Sequence, residues 1–237
     1  MAINPQSLGI QMTPLVKISV GTLIAAFVLQ LVCINILGIR LDDYLFMHPF
    51  RSELWAPWQA LTSFFFASDV LGAMLNWLVL AWFIPPAQDA LGSKGLIRAV
   101  SIVVVGSMVL TTLLDMAGLL NGGVHVGINP ILTALVVIFG LSNPNATIRL
   151  FFVLPVQAKW VAYGSGLIAL LYFLAGRDLG STMYLSGWIF AFGYMSMGQD
   201  LFKQWRLRRQ ARNTEKELGK FTVIKGGKDD KGDDWIN

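Results

Sequence analysis

Two stretches of this chain, residues 99–114 and 160–176, contain no charged side chain at all. An α-helix rises about 1.5 Å per residue, so runs of this length cross most of a hydrocarbon core roughly 30 Å thick. The remainder follows suit. Of the 237 residues 55% are hydrophobic and 14% charged, against roughly 25% charged in soluble domains. Lys17 precedes an apolar run from Ile18 to Ile39, which is too long for the core of a secretory signal and lacks a small-residue cleavage site. It is expected to stay as a first span. Cys33, the single cysteine, lies inside that run, which rules out a disulfide framework.

Six apolar segments have the length or flanks of helical spans, at roughly 18–39, 70–87, 99–119, 130–142, 160–176 and 182–200. The expected fold is therefore an all-α membrane protein built as a six-transmembrane-helix bundle. The fourth segment is too short to cross alone, and Phe151 to Pro155 is expected to extend its buried region. Orientation follows from the basic residues, which are retained at the cytoplasmic ends of spans. With the N-terminus and C-terminus both cytoplasmic, Lys17, Lys94, Arg98, Arg149, Lys159 and ten Lys and Arg from Lys203 to Lys231 fall inside. Only Arg40, Arg51 and Arg177 fall outside, a division of 15 against 3 that the opposite topology would invert.

Two domains are expected, a membrane domain over residues 1–202 and a tail over 203–237. The loop from Arg40 to Asp69 carries Tyr44, Trp55, Trp58 and a Phe64-Phe65-Phe66 run among Asp42, Asp43 and Glu53. That mixture favours a seat partly in the outer leaflet, where Trp55 and Trp58 are candidate lipid or partner contacts. Beyond Asp200 the composition turns basic. Lys203, Arg206, Arg208, Arg209 and Arg212 form a juxtamembrane segment suited to anionic lipids at the cytoplasmic face, or to a plain positive anchor. Phe221 to Ile224 has strand character, whereas Gly226 to Asp234 is charged, glycine-rich and expected to be flexible.

Three places bear on chemistry. The first is Pro57-Trp58-Gln59-Ala60-Leu61-Thr62-Ser63-Phe64-Phe65-Phe66, followed by Asn76 and then Gly92-Ser93. The second is Gly127-Ile128-Asn129-Pro130, followed by the Phe151-Phe152, Pro155 and Lys159-Trp160 connector, and the third is Met183-Tyr184-Leu185-Ser186-Gly187. Taken in order from about residue 15 to 200, they resemble the rhomboid superfamily, whose proteases use a Ser on the fourth span and a His on the sixth. By that resemblance the Ser position is held by Asn129, the following Gly by Pro130 and the His by Tyr184. The His and Asn that help hold the oxyanion fall at Gly72 and Asn76, and the usual Gly and Glu near the inner end of that span become Ile84 and Gln88. The resemblance thus implies a rhomboid-like bundle without the catalytic pair, a pseudoprotease.

Residue chemistry points the same way without the family. Serine hydrolysis needs a hydroxyl or thiol against a base of near-neutral pKa. An amide at Asn129 supplies no nucleophile, and a phenol at Tyr184, with an ordinary pKa of about 10, is a poor base. Two histidines exist, His48 and His125, and His125 is a candidate partner for Ser63, Ser181 or Ser186. Asn129 followed by Pro130 reads as a helix N-cap and first turn. Tyr184 reads as a buried phenol seeking an acceptor, with Asn129 as its expected hydrogen-bond partner, or as a member of the interfacial aromatic belt. Gly187 and Ala191 allow close helix packing, within the bundle or across a dimer seam. Asp115 is a lone intramembrane or span-end acid. With no His, Cys, Asp or Glu cluster at ligand spacing, no metal or other cofactor is expected.

The sequence therefore predicts a multi-pass integral membrane protein, in the plasma (inner) membrane if the source is prokaryotic. Its expected role is non-catalytic: it binds transmembrane segments of other integral membrane proteins as a scaffold, chaperone or subunit of a larger complex. An active intramembrane serine protease with a displaced pair is the alternative. Nucleic acid is not an expected partner.

Overall fold

A computed structural model describes residues 12–150 and 154–198. The chain divides into compact units Met1–Ser196 and Met197–Asn237, and the packing below belongs to the first. Helix α1, Pro14–Asn35, starts where Thr13 accepts a hydrogen bond from the Val16 amide and Pro14 occupies the first turn. Most of its surface faces outward, including Ile18, Val28 and Leu29, while Val16, Phe27 and Gln30 turn inward. The loop that follows holds two short helices, α2 (Leu41–Leu45) and α3 (Gln59–Thr62), and a 3-10 turn at Ser63–Phe65.

Helix α4, Val70–Met116, would be about 70 Å long if straight. It is not straight. Asp69 caps its start by accepting from the Gly72 amide at 2.6 Å, and the Asp115 carboxylate near its end accepts from the amide of Phe50 at 2.5 Å. Both ends thus meet the same 36–69 loop, and the helix folds back on itself. The reversal is at Gly92, whose φ of 70° and ψ of 160° lie in a region that only glycine occupies without strain. Ile84 and Ala87 of the first arm (70–91) then meet Leu96 and Ala99 of the second (93–116) in one buried cluster. Gly92→Ala is expected to cost about 1–3 kcal/mol of stability, read as a fall in melting temperature of the purified protein.

Helix α5, Asn129–Ser142, is the middle of the unit: it packs on α4, α6 (Ala158–Gly176) and α7 (Leu179–Gly193), and none of its residues is exposed. Glycines set the closest approaches. A methyl group on Gly140 would lie 2.6 Å from the Ala158 carbonyl oxygen, and one on Gly187 would lie 2.6 Å from Pro130 Cα. Between α5 and α6 the chain forms a hairpin of β1 (Thr147–Leu150) and β2 (Leu154–Gln157), pairing Thr147 with Gln157 and Leu150 with Leu154. The expectation that Phe151 to Pro155 prolongs the fourth buried segment is corrected at its end, Phe151 to Val153 lying outside the described residues. Leu154 and Pro155 belong to a strand, because the backbone that leaves α5 finds its partners in β1, and Pro155 is exposed.

Helix α6 ends at Arg177 in a left-handed conformation. Asp178 then opens α7 with a reciprocal cap: its carboxylate accepts from the Ser181 amide at 2.6 Å, and the Ser181 hydroxyl accepts from the Asp178 amide. A π-helical turn at Tyr194–Gly198 follows α7. The chain is mostly helical, and α1, α4 and α6 are long and apolar enough to cross a membrane. Their outward-facing Ile, Leu and Val would be untenable in water over so large a contiguous area, so the unit is membrane-embedded.

Candidate functional site

Of the positions singled out from sequence, Gly72, Asn76 and Asn129 lie at the loop end of the bundle, beside the start of α5. Ile128 is the residue that caps α5, and it does so without a side-chain bond; Asn129 and Pro130 occupy the first turn. The expected cap at Asn129 is thus displaced by one residue. Asn129 is half-buried, and its own carbonyl accepts from the Thr133 hydroxyl at 2.8 Å.

Tyr184 projects from the second turn of α7, yet it does not hydrogen bond to Asn129. Its ring meets Tyr172 of α6 edge to face at 6.3 Å. The expected hydroxyl-to-amide bond is corrected by this aromatic contact, since α7 turns Tyr184 toward α6 and keeps Gly187 for α5. Gly187 sits on Pro130, and Ala191 is buried with Val103, Ala134 and Val137, so both serve packing inside the bundle. Proline at 130 and glycine at 187 are complementary: the ring fills the space that a side chain on α7 would need.

Gly72 has a local reason for its identity. A methyl group there would lie 2.8 Å from an Asp69 carboxylate oxygen, so a larger residue would oblige the capping carboxylate to shift. The same cap holds the Asp69 carboxyl below its usual range, chiefly through the Gly72 amide. One turn on, Asn76 lines a cavity with Phe27, Phe65, Trp77 and Ile128. The space left is about 10 Å³, room for about one water. The geometry therefore brings Asn76, the first turn of α5 and Gly187 into one neighbourhood and turns Tyr184 away from it.

Of the serines considered as nucleophiles, Ser181 is committed to the α7 cap and Ser186 donates to the Met183 carbonyl at 3.0 Å. Ser63 Oγ and His125 Nε2 are each buried without a hydrogen-bond partner. They share a neighbourhood, because the Gly127 amide donates to the Ser63 carbonyl and the Phe64 ring stands edge-on to His125 at 6.0 Å. Burial lowers the His125 pKa to about 4, against smaller raising effects of the Gly127 backbone and the Asp178 charge. The imidazole is neutral at pH 7.

Sequence reasoning passed over the residues that organise the loop. Gln59, 1% exposed, uses its whole amide: Oε1 accepts from the His48 and Ala56 amides, and Nε2 donates to the Asp43 and Leu54 carbonyls. Gln30 does likewise from α1, donating to the Ala67 carbonyl at 2.9 Å and accepting from the Ala67 amide at 3.2 Å. A glutamine inside an apolar span was the available signal, since an amide there has to find a partner. Trp55 packs edge-on against Phe50 at 4.8 Å. Trp58 is 58% exposed, with its indole N–H donated inward to the Tyr44 carbonyl. Lys203, Arg206, Arg208, Arg209 and Arg212 lie outside the described residues. Among those described, no group of three or more His, Cys, Asp and Glu is placed to hold a metal ion.

No protein-family model matches this chain, and no curated protein matches it either.

Proposed function

We propose that this protein is a rhomboid-like bundle of six membrane spans, with both termini cytoplasmic, that binds transmembrane segments of partner proteins without cutting them. The two arms of α4 supply the second and third spans in this reading, and α5, though short, is tolerable because neighbours enclose it. One observation carries the proposal. At the two helix positions where cleavage would be organised stand an amide, Asn129, and a phenol, Tyr184, and the phenol is turned toward α6. What remains for such a unit is recognition, with retention or assembly of the partner as the outcome. The exposed Trp58 and the basic residues 203–212 offer contacts to partner and to anionic lipid on opposite sides of the membrane.

The second reading, a displaced hydrolase, is favoured by a single feature: Ser63 Oγ and His125 Nε2 are both unpartnered in one buried neighbourhood. Against it, neither side chain is reachable by a substrate, at 0% and 1% exposure. In-membrane crosslinking followed by purification tests the first reading. A stoichiometric integral membrane partner, recovered intact, is the expected result. Covalent labelling by a serine-directed fluorophosphonate, lost on Ser63→Ala and on His125→Ala, would instead establish the hydrolase.

A further inference from the structure

The segment 117–128 is the keystone of the loop end of the bundle. The amides of Met47 and His125 each donate to the other's carbonyl at 2.9 Å, which joins it to the 36–69 loop. Asn121 donates through its amide to the Arg177 carbonyl at 2.7 Å and through its side chain to the Gly176 carbonyl at 3.1 Å, which joins it to the end of α6. Leu179 at the start of α7 donates to the Gly122 carbonyl. His125 sits at the centre of this closure, 1% exposed, and its Nε2 has no partner. A buried imidazole in this setting favours the neutral form, because a cation there would lack water and a side-chain acceptor and would keep only the Gly127 backbone and the Asp178 charge in its favour.

We propose that the closure is an acid-operated latch: protonation of His125 releases the Met47–His125 pairing and opens the loops that cover the start of α5. The charged surroundings include Arg51 of the 36–69 loop, whose Nη2 lies 2.8 Å from where a methyl group on Gly118 would stand. Segment 117–128 carries no other titratable side chain, nor does the Ser63–Phe65 turn, which presents Ser63 and the Phe64 ring. From the 46–50 stretch the one titratable neighbour is His48, whose ring turns to the Asp42 carbonyl. From α7 comes Asp178, the acid whose charge bears on the imidazole; a methyl group on Gly180 would touch both, 3.6 Å from Asp178 Oδ1 and 4.0 Å from His125 Nδ1. Tyr184 of the same helix packs on Tyr172 instead.

The direction of the pH response follows from burial. His125 takes up a proton at about pH 4 in the closed form and at its ordinary 6.5 once solvated. The closed form is therefore fully favoured above pH 6.5 and loses ground as pH falls from 6.5 toward 4, with no further loss from this group below that. Linkage makes the opening equilibrium about ten-fold larger at pH 5.5 than at neutrality, and tens of fold larger near pH 4.5. Partner binding is not required for any of this.

Hydrogen exchange of the full chain in lipid nanodiscs, corrected for intrinsic amide rates, reads the latch directly. Protection of the Met47 and His125 amides is expected to fall about ten-fold or more between pH 6.5 and 5, while amides of Val137 and Ile138 in α5 keep theirs. His125→Gln, which cannot titrate, is expected to flatten that profile. Asp178→Asn keeps a good helix cap and removes the charge that favours the imidazolium in the closed form, so it is expected to leave the response between pH 6.5 and 5 in place and to enlarge opening near pH 4. Constant protection in the native protein across this range would overturn the latch. So would an acid response that persists in the glutamine variant, or one that Asp178→Asn weakens.

Discussion

Gln59→Leu is expected to be the most damaging single change in the 36–69 loop, at about 3–5 kcal/mol. The reasoning is a count of stranded groups. The side chain of Gln59 satisfies the amides of His48 and Ala56 and the carbonyls of Asp43 and Leu54. Leucine matches its bulk and none of its bonds. A buried backbone group left without a partner costs about 1–3 kcal/mol, and partial exposure lets water relieve some of the four. A thermal melt of the purified protein should show the drop, and protease nicking between residues 41 and 62 should locate it. Trp58→Ala, one residue earlier, is the internal comparison: the ring is exposed and gives up one hydrogen bond, to the Tyr44 carbonyl, so about 1 kcal/mol is expected. Equal stability of Gln59→Leu and the native chain would show that the amide is not what holds the loop.

At the other large-effect position, Gly187→Ala is expected to destabilise the protein by about 1–3 kcal/mol and Gly187→Val by more. The added methyl would stand 2.6 Å from Pro130 Cα and 2.9 Å from the Pro130 carbonyl oxygen. These are backbone atoms of a proline, so they cannot swing aside as a flexible side chain would. Relief requires α5 and α7 to separate, which loosens Ala134 and Val137 against Ala191 on the next layer. Gly193→Ala in the same helix is the control, since nothing lies within 4 Å of a methyl group there. A melting temperature that falls for position 187 and holds for position 193 separates close packing from helix propensity, which would favour alanine at both. Because the contribution of a dimer seam would instead fall on dilution, the Gly187→Ala loss is expected to be independent of protein concentration.

At the loop end each of these positions has a packing role. The Asp69 carboxylate accepts from the Gly72 amide, Pro130 seats Gly187, and the Tyr184 ring meets Tyr172 edge to face. Those uses are mutually consistent. A serine placed at 129 and a histidine placed at 184 would leave the imidazole pointing toward α6.

Much of the helical content was legible along the chain because its causes are local. Transfer of apolar side chains out of water is additive along a segment, so the charge-free runs marked α6 and the second arm of α4 without reference to any neighbour. The identities at 129 and 184 excluded a Ser–His pair on residue chemistry alone. Other features were decided only when the chain closed. Whether Tyr184 faces Asn129 or Tyr172 depends on the rotation of α7, which the Gly187–Pro130 contact sets from another helix. Gln59 gains its role from the way its own loop folds around it, and His125 from a backbone pairing with residue 47, far away in sequence. Hydropathy and capping act within a few residues and leave their mark in the sequence, whereas helix rotation and buried hydrogen-bond partners are chosen by neighbours that only the folded chain supplies.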